Sequence, residues 1–366
     1  MELERCPECG APENITGEHL WLNNGDIVQK RHQSHRMVII ETENMDPLFR
    51  GIEQIIGVNI EPIVITAVRR AVRPYLKAFI PAEVSEKIRN KELDYRPIVD
   101  MFSDMATAYG YGSYDFVDMR YEQDDQDYYT IRITEPFSLP MAVSAHVGAI
   151  ECLTGVDQGH TYEEVSPDVY EITAFPTPHP KELSKRMRFE QHQHRDGDLE
   201  LERCATCGGP KALTGYQWYP DRGAIANKST GRRIAIIGNA ELDPVFHELE
   251  AELGDSVPRV VVEVQRRFTR SGFYTMDDIA DEGDFRTRLA LRGMGNLKEL
   301  EMKRNGMYMR LENAALPLMI VGQTQGFFDM GFSVDTTVDW EISDEGDLQV
   351  EVKPVSSEGR VRREEI

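Results

Sequence analysis

Four of the chain's five cysteines fall in two short motifs, Cys6-x-x-Cys9-Gly10 and Cys204-x-x-Cys207-Gly208. A C-x-x-C turn offers two thiolates from one tight bend, and the glycine that follows permits the backbone geometry. Zinc takes four soft or borderline ligands in a tetrahedron, so each motif is half a site. If the two motifs meet, Cys6, Cys9, Cys204 and Cys207 complete one structural zinc site held by four thiolates. A site of that kind is closed and does not imply catalysis.

Two other readings of the cysteines stay open. Cys6 and Cys9 with His32 and His35 of RHQSHR give a C-x2-C and H-x2-H set, but the matching stretch NKSTGRR carries no histidine. A redox pair is the second, although each motif precedes a hairpin and not a helix start, where a thiol pKa is lowered.

A further group, His146, Glu151, Cys152 and His160, occurs only in the first half, where the second offers Thr324 and Asp329. It marks either a ligand contact kept by one half or a core cysteine beside a satisfied histidine, since Cys152 shares a helix face with Met141, Ala145 and Ala149. Arg69, Arg70 and Arg73 match Arg266, Arg267 and Arg270 on two long helices. They suit either an anionic ligand group, with Arg69 and Arg266 as its contacts, or ion pairs with neighbouring carboxylates. The histidines of HQHR, residues 192–195, are solvated linker residues or a transition-metal site. No phosphate loop, dinucleotide fingerprint, H-E-x-x-H helix or nucleophile elbow is present.

These residues sit in a repeating framework. RMVII (36–40) matches RIAII (233–237), and MDPLFRGIEQIIG matches LDPVFHELEAELG. YGYG (109–112) falls on RGMG (292–295), and AHVGAIECLTG on GQTQGFFDMG. Matches in one order at nearly constant offset indicate a tandem duplication, with a first repeat over residues 1–185, a linker over 186–198, a second repeat over 199–356 and a polar tail over 357–366. The expected fold class is α+β: two homologous halves, each a knuckle with a hairpin, then three helices packed on a small antiparallel sheet. Asp46-Pro47 and Asp243-Pro244 read as helix N-caps followed by proline at the first helical position. Ile98, Met101, Phe102 and Met105 read as one buried stripe.

The later part of each half, over about residues 45–176 and 242–353, resembles the 4-vinyl reductase domain family and its relatives among TRAPP transport-particle subunits. YGYG or RGMG before a hairpin and the segment ITEPFSLPMAVSAHVGAIECLTG carry the resemblance. It implies a compact domain with an apolar channel for a hydrophobic small molecule, sometimes serving as a ligand sensor. Members commonly end with an acidic residue and two cysteines around the last hairpin. Here TYEEVSPDVYEITAF and DTTVDWEISDEGDLQVEV contain none, so no metal or ligand role is carried over from them.

Phe102, Met105, Phe137, Met141 and Ile150 are the expected pocket walls, with Leu291, Met319, Phe327 and Phe328 in the second half. These are also residues an ordinary core uses. The 366 residues include 63 acidic and 41 basic side chains, a formal charge of −22. That field repels phosphate backbones, so nucleic acid is not an expected partner. No leader and no membrane span are read from the sequence, and four cysteines in C-x-x-C pairs fit a reducing compartment, so a cytoplasmic location is expected. The leading expectation is a non-catalytic zinc-containing protein that binds a hydrophobic or amphipathic small molecule. An enzyme acting on such a molecule, with His146 as acid or base, and an accessory module docking a protein partner are the alternatives.

Overall fold

A computed structural model describes residues 4–179 and 194–355. The first part runs α1 (Glu13–Glu18), β1 (His19–Trp21), β2 (Ile27–Gln29), β3 (Arg36–Glu41), α2 (Met45–Ile56), α3 (Glu61–Phe79), α4 (Ala82–Arg89) and α5 (Arg96–Ala108). It continues through β4 (Ser113–Arg120), β5 (Tyr128–Thr134), α6 (Leu139–Thr154), β6 (Gln158–Ser166) and β7 (Val169–Pro176). The second part follows a similar order, without α-helices at the places of α1 and α4: β8 (Tyr216–Tyr219), β9 (Ala224–Asn227), β10 (Arg233–Gly238), α7 (Asp243–Leu253), α8 (Val257–Phe268) and α9 (Glu282–Leu291). It ends with β11 (Asn296–Lys303), β12 (Gly306–Glu312), α10 (Pro317–Phe332), β13 (Thr336–Ile342) and β14 (Leu348–Pro354). The fold is mixed α and β, and its sheets are antiparallel.

Each part carries a four-stranded sheet of the same order, β4-β5-β7-β6 and β11-β12-β14-β13. In each, a long helix after the second strand packs on a helix that precedes the sheet, α6 on α3 and α10 on α8. Glycine lets the helix backbones approach. A Cβ on Gly148 would lie 2.9 Å from the Arg69 carbonyl oxygen, and one on Gly322 would lie 2.4 Å from that of Val262.

A third sheet joins the two parts. Its order is β1-β2-β3-β10-β9-β8, with β3 and β10 antiparallel at its centre. RMVII and RIAII are therefore strands, an element that a reading as matched stretches alone leaves out. Their β-branched residues suit a central strand with both faces covered. Ile39 pairs with Ile236, its match in the other stretch, so these matched residues meet at the middle of the sheet.

The contacts across this sheet are reciprocal. The Ile39 amide donates to the Arg292 carbonyl at 2.8 Å, and the Ile236 amide to that of Tyr109 at 2.9 Å. Arg5 donates to the Trp218 carbonyl at 2.9 Å while Arg203 donates to that of Trp21 at 2.6 Å. Helix α2 packs on α8, and α7 on α3. The helix that follows each central strand thus packs on the long helix of the opposite part.

Arg36 and Asp26 form a buried ion pair at 2.8 Å beneath this joint. Arg36 also donates to the carbonyls of Gly293 and Asn313 across it. Arg36→Met removes the guanidinium and leaves the buried Asp26 to the Asn24 and Asn313 amides and to His194 at 3.8 Å, a loss of roughly 3 kcal/mol. Urea denaturation of the variant is expected to show that loss.

Several local expectations are corrected. Asp46 lies inside α2, whose N-cap is Asn44, and Asp243 opens α7 after Leu242. A short 3-10 turn precedes each helix and starts the winding early. Four helices of eight residues or more, not three, precede the first four-stranded sheet. Met101 is 51% exposed, while Phe102 is buried. Of the expected linker, residues 194–198 are docked: Arg195 pairs with Glu345 and Asp347, and Asp198 with Arg286 and Lys298. The remainder of the linker and the expected tail lie outside the described residues.

Candidate metal centre and buried cavity

The two C-x-x-C turns are built alike. The Gly10 amide donates to the Cys6 carbonyl at 2.8 Å, and the Gly208 amide to that of Cys204 at 2.9 Å. Both glycines take the left-handed conformation, φ 70° and 73°, which a side chain would oppose. Glu8 ties one turn to the other by accepting from the amide and hydroxyl of Thr206.

The four sulfurs of Cys6, Cys9, Cys204 and Cys207 lie within 4.8 Å of one another. Cys6 and Cys204 sulfurs are 3.6 Å apart, and those of Cys9 and Cys207 are 3.5 Å apart. A tetrahedron with metal–sulfur bonds of about 2.3 Å has edges of roughly 3.8 Å. Ligand type, number and spacing therefore suit a metal ion. The backbone amide of Cys9 aimed at its sulfur pulls the Cys6 thiol down to about 7, while burial pushes the Cys9 thiol up to about 12. Without a cation, four clustered thiols resist full ionisation; a bound metal supplies the charge that deprotonates them.

The alternative histidine ligands stand elsewhere. His35 stacks on Tyr75 with ring centroids 4.4 Å apart, and His32 is exposed.

A second place of interest is an apolar cavity of about 70 Å³ between α3, α5, β4, β5 and α6. Phe102, Met105 and His146 of the expected residues line it. Phe137 stands behind it, its ring tilted against the cavity-lining Tyr111 with centroids 4.4 Å apart, and Met141 is buried outside its wall. Ile150 faces a separate groove with Tyr95 and Tyr121. In the second part Leu291 and Phe327 line a more polar cavity of about 180 Å³, and Met319 a smaller one of about 30 Å³. Phe328 packs on Phe332 in the core.

The group around His146 divides in two. His146 turns Nε2 to the Tyr129 carbonyl at 3.1 Å, and burial holds its pKa down to about 4. The Cys152 thiol meets the Arg73 carbonyl instead. Glu151 takes Arg69 and Arg73, each at 3.7 Å, and His179 at 2.9 Å. In the second part Asp329 takes Arg266 at 2.6 Å and Arg270 at 3.3 Å. Glu151, Asp157 and His179 lie close enough to hold a metal, but Arg73 already pairs with both carboxylates.

The expected walls lie within one part, and what closes the cavity comes from the other. Glu241, at the end of the turn that follows β10, comes from the opposite part and joins Tyr75, Tyr109, Tyr111 and Tyr114 in the wall. It is 6% exposed and accepts from the Gly238 amide at 3.2 Å. Burial raises its pKa from 4.5 to about 7. One glutamate in so acidic a chain carries no signal by itself; the YGYG tyrosines were visible as a motif, not as a wall.

The raised value fixes a sign. The Glu241 contribution to stability is fully present below about 4.5 and is lost as pH rises through about 7. Glu241→Gln is therefore expected to stabilise the protein by up to about 3 kcal/mol near pH 8 and to change little near pH 4. Paired urea titrations at the two pH values measure the difference.

Among the described residues no helix is long and apolar enough to cross a membrane. No protein-family model matches the chain, and no curated protein sequence does. Three solved structures of H-NOX domains show partial likeness. One, described as "Probing the function of heme distortion in the H-NOX family", is 17% identical, with 33% of this chain and 76% of that one covered and a TM-score of 0.23. A Cs H-NOX mutant carrying 4-cyano-L-phenylalanine is 16% identical over 38% of this chain and 81% of its own, with a TM-score of 0.24. A T. Tengcongensis H-NOX mutant in which phenylalanine replaces an isoleucine is 17% identical over 33% and 77%, with a TM-score of 0.23. Scores this low assign neither a family nor a ligand.

Proposed function

We propose that this is a non-catalytic cytoplasmic protein that binds a hydrophobic or amphipathic small molecule, built by tandem duplication and clamped by one structural zinc. The observation that carries the binding reading is the apolar cavity walled by α3, α5 and α6 of one part and closed by Glu241 of the other. A ligand there touches both parts at once. The resemblance to 4-vinyl reductase domains points the same way.

Zinc is the metal that best suits four thiolates at tetrahedral spacing, and a site with no vacant position serves structure. It would sit where the two knuckles meet, joining at one edge what the six-stranded sheet joins at its centre. His146 favours binding over acid–base chemistry, because its Nε2 is engaged by a backbone carbonyl and its ring is neutral at working pH.

Native and denatured mass of the purified chain tests both halves of this reading. One zinc per chain with an additional organic mass is the expected result. Two zincs or none would overturn the shared site. A chain that carries no organic molecule and takes up none from a panel of small apolar compounds would overturn the binding role.

A further inference from the structure

The cavity has one polar feature that its apolar walls do not explain. Glu241 is a buried carboxylate, and among the described residues no lysine, arginine or histidine forms an ion pair with it. It accepts from the Gly238 amide. Five aromatic rings line the same space: Tyr75, Phe102, Tyr109, Tyr111 and Tyr114. The Tyr114 hydroxyl is buried with no hydrogen-bond partner. An ionised carboxylate without a counter-ion is costly in such surroundings.

The other part of the molecule shows how the chain treats a buried carboxylate when it supplies the cation itself. Glu41 lies in the wall of the second-part cavities, where it pairs with Arg292 and accepts from the Tyr274 hydroxyl at 3.0 Å. The carbonyls of Arg292 and Tyr109 occupy reciprocal positions against the central strands. Where one part has the arginine, the other has a tyrosine. Asn44, which matches Glu241 in the aligned stretches, is neutral and bonds Gln265 at 2.7 Å. The first-part cavity thus combines an acid with aromatic faces and lacks the internal cation.

We propose that this cavity is a binding site for the ammonium group of a small aliphatic amine, with Glu241 as counter-ion and the tyrosine rings as its aromatic surround. This rests on the binding reading above and gives that ligand a charge and a size. Aromatic faces attract cations through the ring quadrupole, and the attraction grows when water is excluded. At about 70 Å³ the space is about half of an apolar cavity that takes up benzene, so it accepts a head group on a short chain. The charge of −22 adds a field that draws cations and repels carboxylates.

The other titratable groups facing this space do not compete for the role. His146, in the wall, and His35, stacked on the wall residue Tyr75, are both held neutral, their pKa values lowered to about 4 chiefly by burial. Burial likewise raises the values of Tyr75, Tyr109, Tyr111 and Tyr114, so their hydroxyls stay protonated.

Calorimetric titration of the full zinc-loaded chain with n-propylamine, 1-propanol and propionate tests the site at low salt. The amine is expected to bind at least about tenfold more tightly than the alcohol, and propionate not at all. Raising the pH from about 6 to about 8 should tighten amine binding by about tenfold, with proton release, as Glu241 ionises. Glu241→Gln should remove both the amine preference and the pH dependence. Tyr111→Leu should weaken the amine more than the alcohol.

Equal binding of amine and alcohol by the unaltered chain overturns the ammonium site while leaving the cavity a binding site for neutral molecules. Binding of none of the three overturns the cavity reading as well. An amine preference that persists in Glu241→Gln places the cation elsewhere and also overturns the proposal. The pH series on the unaltered chain decides the matter even if a variant fails to fold.

Discussion

Cys204→Ser is expected to abolish metal retention by the whole chain, not to halve it, because the two knuckles share one set of sulfurs. The Cys6 and Cys204 sulfurs are 3.6 Å apart and those of Cys9 and Cys207 are 3.5 Å apart, so each knuckle supplies half of one four-sulfur set. Structural zinc binding in isolated fingers is worth about 10–16 kcal/mol near neutral pH. Here the sheet already holds the knuckles near each other, so the expected destabilisation is smaller, on the order of 5 kcal/mol. Elemental analysis after dialysis and a denaturant titration measure the two effects. Since ligands must be deprotonated, the intact protein should release its metal as pH falls. Unchanged metal content in the variant would falsify the shared site.

The second large effect is expected at Gly223→Val. Gly223 has φ +56°, and a Cβ there would lie 1.8 Å from the Gly112 carbonyl oxygen and 2.1 Å from its carbon. Those atoms are backbone, so neither side can yield by a rotamer change. The Gly112 amide also donates to the Gly223 carbonyl at 2.9 Å, a bond that separation of the chains would break. Left-handed strain, overpacking and the lost hydrogen bond together come to about 4 kcal/mol. Gly25 makes the reciprocal approach, where a Cβ would lie 2.3 Å from the Gly295 carbonyl, so Gly25→Val should behave similarly. By contrast, Gly57→Val at the end of α2, where a Cβ would meet nothing within 4 Å, should show only the conformational penalty. The three denaturation midpoints give the comparison.

The sequence carried the knuckles well because cysteine spacing and the following glycine are local chemistry. It also carried the hairpins, whose turns need glycine, and the periodic helices. What it carried poorly was the use made of RMVII and RIAII. An apolar run of that length reads as a core element without saying which partner covers it, and only the Ile39–Ile236 pairing shows that it joins the two parts. Asp46 failed as a cap because a 3-10 turn had already started the helix. Arg69 and Arg266 were legible as a matched pair, but their carboxylates lie more than sixty residues away in sequence, at Glu151 and Asp329. Glu241 illustrates the limit: its significance comes from the empty space it faces, which no local pattern encodes.

The central pairing of β3 with β10 also bears on how the chain comes off the ribosome. Strand β3 is complete at Glu41, and its neighbour does not exist until Gly238 has been added. At about 5–20 residues per second that interval is roughly 10–40 seconds. Throughout it an isoleucine-rich edge with unpaired amides is available to any other nascent copy, and antiparallel pairing with a second β3 would satisfy the same hydrogen bonds. Contacts of such long sequence separation also slow folding once the chain is free. Intermolecular β3 pairing is therefore the natural error of this architecture, and arrival of β10 is what ends the risk.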